Sequence, residues 1–381
     1  MGNKAVLAIN SAWNIVNFRS GLVRALQADG WEVIAMAPRD AYAPRVEDLG
    51  CRLVEMPMQP GGVHPWRDWQ LYRRYEAALA IEQPDVYLGF TIKPNVWGTL
   101  AAHRLGIPVI NNIAGLGTAF IRRSWLTPVA RALYRHALRH SFRVLFQNED
   151  DRRYFIESGL VDALRTGRVP GSGVDLDHFA CLPLPPARLG RSFQLLFIGR
   201  LLRDKGLLEL VQAMRELKAS RVNLELSLLG FVDADNRSAV SLREVRAWQD
   251  QGLVRYLGST DDVRPFVAAA DAVVLPSYRE GVPRTLLEAA ALGRPLIASD
   301  AVGCRDVVDD GVNGLLARVC DAKHLADQIR RLCELEEPAR AAMAGASRLK
   351  VEREFDESIV IQTYRRVLVE AIAPRCNAER Y

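Results

Sequence analysis

The chain has 381 residues, enough for two domains of ordinary size that each bury a core of their own. With 25% charged and 49% hydrophobic residues, and no uninterrupted apolar run approaching the roughly eighteen that a membrane span needs, it reads as globular; a net charge of +5 suits anionic partners without implying nucleic acid. Six scattered cysteines without a Cys-x-x-Cys pair argue against a disulfide framework and a structural zinc site.

The first ten residues hold an apolar segment too short for a signal sequence, which predicts a buried first strand and a cytoplasmic protein. Further short apolar runs at 33–36, 86–90 and 109–113 read as strands separated by amphipathic helical segments. That alternation predicts a parallel sheet covered by helices on both faces. The second half repeats it, with strands at 195–198, 224–229, 254–257, 272–275 and 295–298 and helices at 207–217 and 284–292. Between Thr166 and Gln194 the glycines and prolines of Pro170-Gly-Ser-Gly and Leu182-Pro-Leu-Pro-Pro interrupt regular structure and mark a boundary. The expected fold class is therefore α/β, two Rossmann-like halves whose ligands would lie beyond the carboxyl ends of the strands, facing a central cleft. A last helical segment, 357–371, carries Ile359, Tyr364, Val367, Leu368 and Ala371 at helical spacing and could pack against either half.

Two carboxylates carry the best clue to chemistry. Glu280 stands just before a helix and Glu288 inside it, in Tyr278-Arg-Glu-Gly-Val-Pro-Arg-Thr-Leu-Leu-Glu-Ala. Pro283 suits the first helical position and Gly293 the residue past the end, so the helix should run from about Pro283 to Leu292. Its leading N–H groups through Thr285 can hold an anion such as a diphosphate, while the two carboxylates can accept hydroxyl hydrogen bonds. An anion beside polyols describes a nucleotide sugar. In Gly199-Arg-Leu-Leu-Arg-Asp-Lys-Gly-Leu, a loop between strand and helix, Arg200 and Lys205 can neutralise that diphosphate. The plainer readings are a solvated basic loop, a cap for Glu280, and an intrahelical ion pair of Glu288 with Arg284, which has the weaker orientation.

These segments, with Gly171-Ser-Gly-Val-Asp and Ser299-Asp-Ala-Val-Gly-Cys-Arg-Asp-Val-Val, resemble the retaining glycosyltransferases of the GT-B fold over nearly the whole chain. The resemblance implies an acceptor domain over 1–168, a nucleotide-sugar donor domain over 169–355, and a helix over 356–381 that crosses back to the first domain. It implies that Arg200 and Lys205 bind the donor diphosphate, Glu280 the transferred sugar and Glu288 the ribose, making Glu280, Arg200 and Lys205 the catalytic set. Gly199, Gly230, Gly281, Val282, Pro283, Arg284 and Thr285 would complete the donor site, with no cofactor and no divalent cation.

Within the family, Asn17-Phe-Arg, Gly89-Phe-Thr-Ile-Lys-Pro-Asn and Ala114-Gly-Leu-Gly-Thr-Ala-Phe resemble segments of bacterial enzymes that extend sugars on undecaprenyl diphosphate. This implies a lipid-linked glycan acceptor and, as its contacts, Asn17, Arg19, Lys93, Asn112 and Gly115. Many family members carry a histidine after the fourth strand, where this chain has Asn111-Asn-Ile-Ala-Gly-Leu-Gly, which sets a histidine-assisted mechanism aside. His64, His103, His136 and His140 read as surface or packing residues. Gly115-Leu-Gly lacks the third glycine of a dinucleotide fingerprint, Phe120 standing in its place, and marks a tight turn.

Residues 125–142 carry an apolar stripe of Leu126, Ala130, Leu133 and Ala137 beside cations at Arg131, Arg135, Arg139 and Arg143, joined by Arg122 and Arg123. Like charges four apart cost a helix roughly 0.2–0.5 kcal/mol per pair, so Arg131, Arg135 and Arg139 are expected to face an anionic membrane surface or an acceptor diphosphate. The alternative is a solvated face partnered by Glu149, Asp150 and Asp151. Together these readings give a metal-independent retaining transferase that takes UDP-N-acetylhexosamine and works on the inner face of the plasma membrane. The alternatives are an epimerase of the same fold and a non-catalytic nucleotide-sugar-binding protein.

Overall fold

A computed structural model describes residues 2–58, 64–115, 126–186, 190–232, 236 and 238–378. The chain divides into two units, Met1–Ser172 with Glu357–Tyr381, and Gly173–Asp356. Each is built on one parallel sheet, because fully apolar runs need helices on both faces to be buried.

In the first unit the strands are β1 (Lys4–Ala8), β2 (Glu32–Ala37), β3 (Arg52–Glu55), β4 (Val86–Phe90), β5 (Val109–Ile113), β6 (Arg143–Phe146) and β7 (Thr166–Arg168), in the order β3-β2-β1-β4-β5-β6-β7. All neighbours pair in parallel, with Leu7 opposite Leu88 and Asn112 opposite Leu145. Three of these strands escape a reading of apolar runs. β3 lies at the sheet edge and is only half-buried, β7 has three residues, and β6 is hidden by its charged start at Arg143. Missing β3 shifts the count by one, so the asparagines Asn111 and Asn112 lie in the fifth strand, and both are buried.

The last helix, Glu357–Ala378, belongs to this first unit. It buries Val360, Tyr364, Val367, Leu368 and Ala371 against Leu7, Leu22, Leu26 and Phe90, with Val360 rather than Ile359 as its first core residue. Tyr364 is anchored twice, with its ring 6.1 Å from that of Phe90 and its hydroxyl accepting from Asn112 Nδ2 at 2.9 Å. Burial raises the Tyr364 hydroxyl above the usual range, so it stays neutral.

The second unit holds β8 (Phe193–Ile198), β9 (Leu224–Leu229), β10 (Arg255–Tyr256), β11 (Ala272–Leu275), β12 (Leu296–Ser299) and β13 (Gly314–Ala317), in the order β10-β9-β8-β11-β12-β13. β13 was not among the sequence expectations, and β10 shrinks to two residues. The chain leaves β8 toward one edge and later returns to its other side as β11. The crevice beyond the carboxyl ends of β8 and β11 is therefore the topological switch point, where ligands of such sheets bind. Arg294 is fully buried without a carboxylate partner in its hydrogen-bond set: its guanidinium donates to the carbonyls of Val267, Ala268, Leu182, Pro183 and Gly293 at 3.0–3.1 Å. That fixes the entry segment at Leu182 and Pro183 to the body of the unit. Burial lowers the guanidinium's pKa, but a group that starts so high stays charged.

Candidate active site

The loops that follow β8 and β11, and the helix after the second of them, hold the sequence-nominated residues of the second unit except Gly230. Gly199 follows β8 directly and its N–H donates to Leu229 O at 3.0 Å, while Arg200 is exposed. Lys205 ends a single 3-10 turn, Arg203–Lys205, stopped by Gly206 at φ 72°. Any Cβ on Gly206 would overlap the Pro276 carbonyl oxygen, so only glycine lets the Lys205 loop pass this close to the end of β11. The approach has a consequence: Lys205 Nζ forms a hydrogen-bonded ion pair with Glu280 Oε1. The two side chains are 21% and 14% exposed, so water screens the pair only in part.

Tyr278, which the sequence reading did not single out, ties the same two loops. Its N–H donates to Asp204 O at 3.0 Å and its hydroxyl to Glu209 Oε1 at 2.8 Å, in the first turn of the helix Leu207–Ala219. Its only sequence signal is position, two residues before Glu280. Behind Glu280 the backbone is fixed by Gly303, at φ 83°, where a Cβ would overlap the Gly281 carbonyl, and by the Glu280 N–H donating to Val302 O at 3.0 Å. The segment from Ser299, one of the four that carry the family resemblance, thus acts as the wall of the Glu280 loop.

The helix after that loop is Arg284–Ala291, with Pro283 as its N-cap rather than its first residue. Leu286 makes the first return bond, to Pro283 O at 3.1 Å, so Gly281, Val282 and the N–H groups of Arg284 and Thr285 lead into the helix at its positive end. Four residues on, Glu288 Oε1 accepts from Arg284 Nε at 2.9 Å. The pair discounted on orientation is present, because both side chains are largely buried, 16% and 13% exposed, and have little water to turn to. Burial raises the Glu288 carboxyl above the usual carboxylate range, with Arg284 opposing. Gly230 lies past β9, its N–H on Gly258 O at 2.7 Å and its carbonyl accepting from the Tyr256 hydroxyl at 3.0 Å. The site therefore offers a cation bound to a carboxylate, a helix amino end and a second carboxylate one turn along it, which suits an anionic ligand with hydroxyls on both sides. Among the described residues no cluster of three or more His, Cys, Asp and Glu side chains could hold a metal ion.

In the first unit the nominated acceptor residues fall into two groups. Arg19 and Asn112 are buried: the Arg19 guanidinium lies 4.4 Å from the Phe90 ring centre, and Asn112 belongs to a polar network with Asn95, Asn111, Thr99, Ser141 and Gln147. Nearer the surface, Asn17 Nδ2 donates to Trp13 O at 2.9 Å, Lys93 pairs with Asp68 at 2.9 Å, and Gly115 has φ 133°. The rest of the Gly115–Phe120 segment, with Arg122, Arg123 and Trp125, lies outside the described residues.

The basic stripe is divided by the structure. The helix is Leu126–Leu138, so Arg143 is not on it; that residue opens β6 and pairs with Glu370 at 2.9 Å. Arg135 donates to Ser158 O and Gly159 O at the end of the helix Glu149–Glu157, and Arg131 lies 6.0 Å from the Tyr154 ring. Arg139 donates to His140 Nε2 at 3.0 Å, and the His140 ring stacks on His103 at 3.8 Å. Of the carboxylates considered as partners, Glu149 pairs with Arg152 instead. Burial, followed by His103 and Arg139, holds the His140 pKa below the usual value.

With this geometry in hand, residues 192–335 match the family model described as glycosyl transferases group 1, and residues 16–171 that of a glycosyl transferase 4-like domain. The N,N'-diacetylbacillosaminyl-diphospho-undecaprenol alpha-1,3-N-acetylgalactosaminyltransferase of Campylobacter jejuni is 26% identical over 365 residues, 92% of this chain and 94% of that protein. An Escherichia coli UDP-Gal:alpha-D-GlcNAc-diphosphoundecaprenol alpha-1,3-galactosyltransferase is 24% identical over 264 residues, 67% of this chain and 68% of that one. Among solved structures, Anabaena Alr3699/HepE in complex with UDP and glucose superposes with a TM-score of 0.78 at 20% identity, covering 96% of this chain and 99% of that one, and shares the fold. The chain belongs to the glycosyltransferases that combine a glycosyl transferase 4-like domain with a glycosyl transferases group 1 domain in the GT-B fold.

Proposed function

We propose that this glycosyltransferase moves an N-acetylhexosamine from a UDP-linked donor to a glycan carried on undecaprenyl diphosphate, with retention of configuration at the transferred carbon. The observation that carries the donor half is the Lys205–Glu280 pair beside the amino end of the helix Arg284–Ala291, at the switch point of the second unit. Supporting the acceptor half are the Campylobacter jejuni and Escherichia coli relatives, whose names specify diphospho-undecaprenol-linked acceptors.

In this reading Arg200, Lys205 and the N–H groups of Arg284 and Thr285 hold the diphosphate, Glu288 accepts from the ribose hydroxyls, and Glu280 orients the sugar. The bond from the sugar's anomeric carbon to the diphosphate oxygen breaks as the acceptor oxygen bonds to the same face, and the acceptor proton passes to the departing diphosphate. Arg200 and Lys205 stabilise the negative charge that builds there. Arg19, Lys93, Asn17 and Gly115 serve the acceptor side, with Asn112 holding Tyr364 beneath them. The enzyme works at the inner face of the plasma membrane, where such acceptors are presented.

The test is to incubate the purified protein with a panel of UDP-sugars and undecaprenyl-diphosphate-linked acceptors and to determine each product's linkage by NMR. Transfer from a UDP-N-acetylhexosamine with the anomeric configuration kept is the expected result. A product of inverted configuration overturns the mechanism, and UDP release that is indifferent to acceptor overturns transfer itself.

A further inference from the structure

The helix Pro65–Glu82 in the first unit has two contrasting faces. Its inner face, Leu71, Tyr75 and Leu79, lies in the core with Val6, Ile34 and Met36. The outer face runs Trp66, Trp69, Arg73, Ala77, Ala80 and Ile81, at the helical spacing that makes one stripe, about 22 Å long at 1.5 Å per residue. Trp66 is 67% exposed, Trp69 50% and Ile81 79%. Large apolar side chains scattered singly on a surface need no explanation; three in one stripe do.

The charge on this face is one-sided. Arg67, Arg73 and Arg74 are exposed along it, and the flanking carboxylate, Glu76, is shared by Arg73 at 2.7 Å and Arg104 at 2.8 Å. Trp66 and Trp69 stack with ring centres 5.0 Å apart, forming a broad aromatic plate at one end of the stripe, while Ala77, Ala80 and Ile81 keep the other end low and apolar. Tryptophan among arginines, with small and aliphatic residues beyond, is the composition of a helix that lies in the headgroup region of an anionic bilayer. Arginine engagement does not separate this face from the helix Leu126–Leu138, since Arg74 donates to Pro57 O at 3.5 Å much as Arg135 donates to Ser158 O and Gly159 O. What separates them is that Tyr134 of that helix is buried, leaving the helix itself no exposed phenol or indole ring beside its arginines among the described residues.

We propose that the outer face of the helix Pro65–Glu82 is the surface by which this protein docks on an anionic lipid bilayer, with Trp66, Trp69 and Ile81 entering the interface and Arg67, Arg73 and Arg74 meeting the headgroups. The same helix carries Asp68, whose carboxylate holds Lys93 at 2.9 Å, so the docking face is tied through one ion pair to a nominated acceptor residue. The inference rests on the reading that the enzyme works at a membrane face, and because bilayer binding needs neither donor nor acceptor, its failure is distinguishable from a failure of the transfer reaction.

The experiment is co-sedimentation of the full chain with vesicles of phosphatidylglycerol and phosphatidylethanolamine, and with vesicles of phosphatidylcholine alone. The wild type is expected to bind the anionic vesicles and to be released by salt. The W66A/W69A variant should lose about tenfold or more in partitioning, R67Q/R74Q about fivefold per arginine, and R131Q/R139Q little. All these positions are solvent-facing or half-buried, and unchanged melting curves establish that the variants fold. Quenching of tryptophan emission by brominated lipid, lost in W66A/W69A, is the second expected signal. Equal binding of W66A/W69A and wild type, loss confined to R131Q/R139Q, or no wild-type binding to anionic vesicles each overturns the proposal.

Discussion

Replacing Lys205 by methionine separates the two duties that its ammonium can have. The substitution keeps the stem and removes the charge that pairs with Glu280. Breaking one end of a fully buried pair costs about 3–5 kcal/mol, but 21% and 14% of these side chains still reach water, and discounting for that leaves a folding cost of about 1–2 kcal/mol. For a unit of this size that is a fall in Tm of about 2–8 °C. Removing the cation from the departing diphosphate should cost about 2.7–4 kcal/mol more, or 10²–10³ in kcat. Thermal melting and acceptor-dependent UDP release measure the two effects separately, and the K205M/E280Q double variant divides them. In the double variant no orphan carboxylate remains, so Tm should recover while kcat stays low. A K205M enzyme that keeps kcat within about tenfold of wild type, or a double variant that regains activity, would refute the assignment and leave Lys205 as a counter-ion for Glu280.

Glu288→Gln should trade function for stability. Burial raises the folded-state pKa above the ordinary 4.5, so Glu288 favours folding only while protonated, and that contribution is lost as pH rises through the raised value. The variant should therefore melt at or above the wild-type temperature at pH 8, with the difference closing toward pH 4, while UDP affinity measured by calorimetry falls. Gly206→Ala should destabilise by about 1–3 kcal/mol through positive φ and the clash with Pro276, and displace Lys205 enough to lower kcat; a wild-type melting curve would contradict the close approach. Arg294→Met orphans carbonyls at Leu182, Pro183, Val267 and Ala268 together and should cost on the order of 4 kcal/mol or more, read as loss of Tm or of soluble protein. Tyr364→Phe removes the acceptor for buried Asn112 Nδ2 and should cost about 1–3 kcal/mol in denaturant unfolding.

Fully buried strands such as 86–90 and 272–275 are legible as short apolar runs, and 224–229 by its alternation of leucine with Glu225 and Ser227; Gly206, Pro283 and Gly293 punctuate the helices of the second unit where local sterics require it. Edge and short strands are not, because β3 and β7 bury too little for their side chains to be selected by burial. Arg143 reads as part of a helical stripe because arginines recur every four residues up to it, and four residues is also the gap between the helix end at Leu138 and the strand start at Arg143. At the site, each charged residue could be named from its loop. That Lys205 meets Glu280 could not, since only the adjacency of β8 and β11 in the sheet brings together positions so distant along the chain. The Glu288–Arg284 pair was visible but undervalued, because rules for exposed helices omit the loss of water around a buried pair.

The first unit is made of two segments, and its second contributes Tyr364 to the ring of Phe90 and the amide of Asn112. A ribosome delivers those residues only after all of Gly173–Asp356 has been synthesised. The usual order of vectorial folding is thereby reversed: the continuous second unit can close its core while the first still lacks a helix over Leu7, Leu22 and Phe90. During that interval the uncovered apolar floor is open to chaperones or to aggregation, so a nascent chain stalled before residue 357 should be bound by hydrophobic-surface holdases far more than one stalled after the helix has emerged.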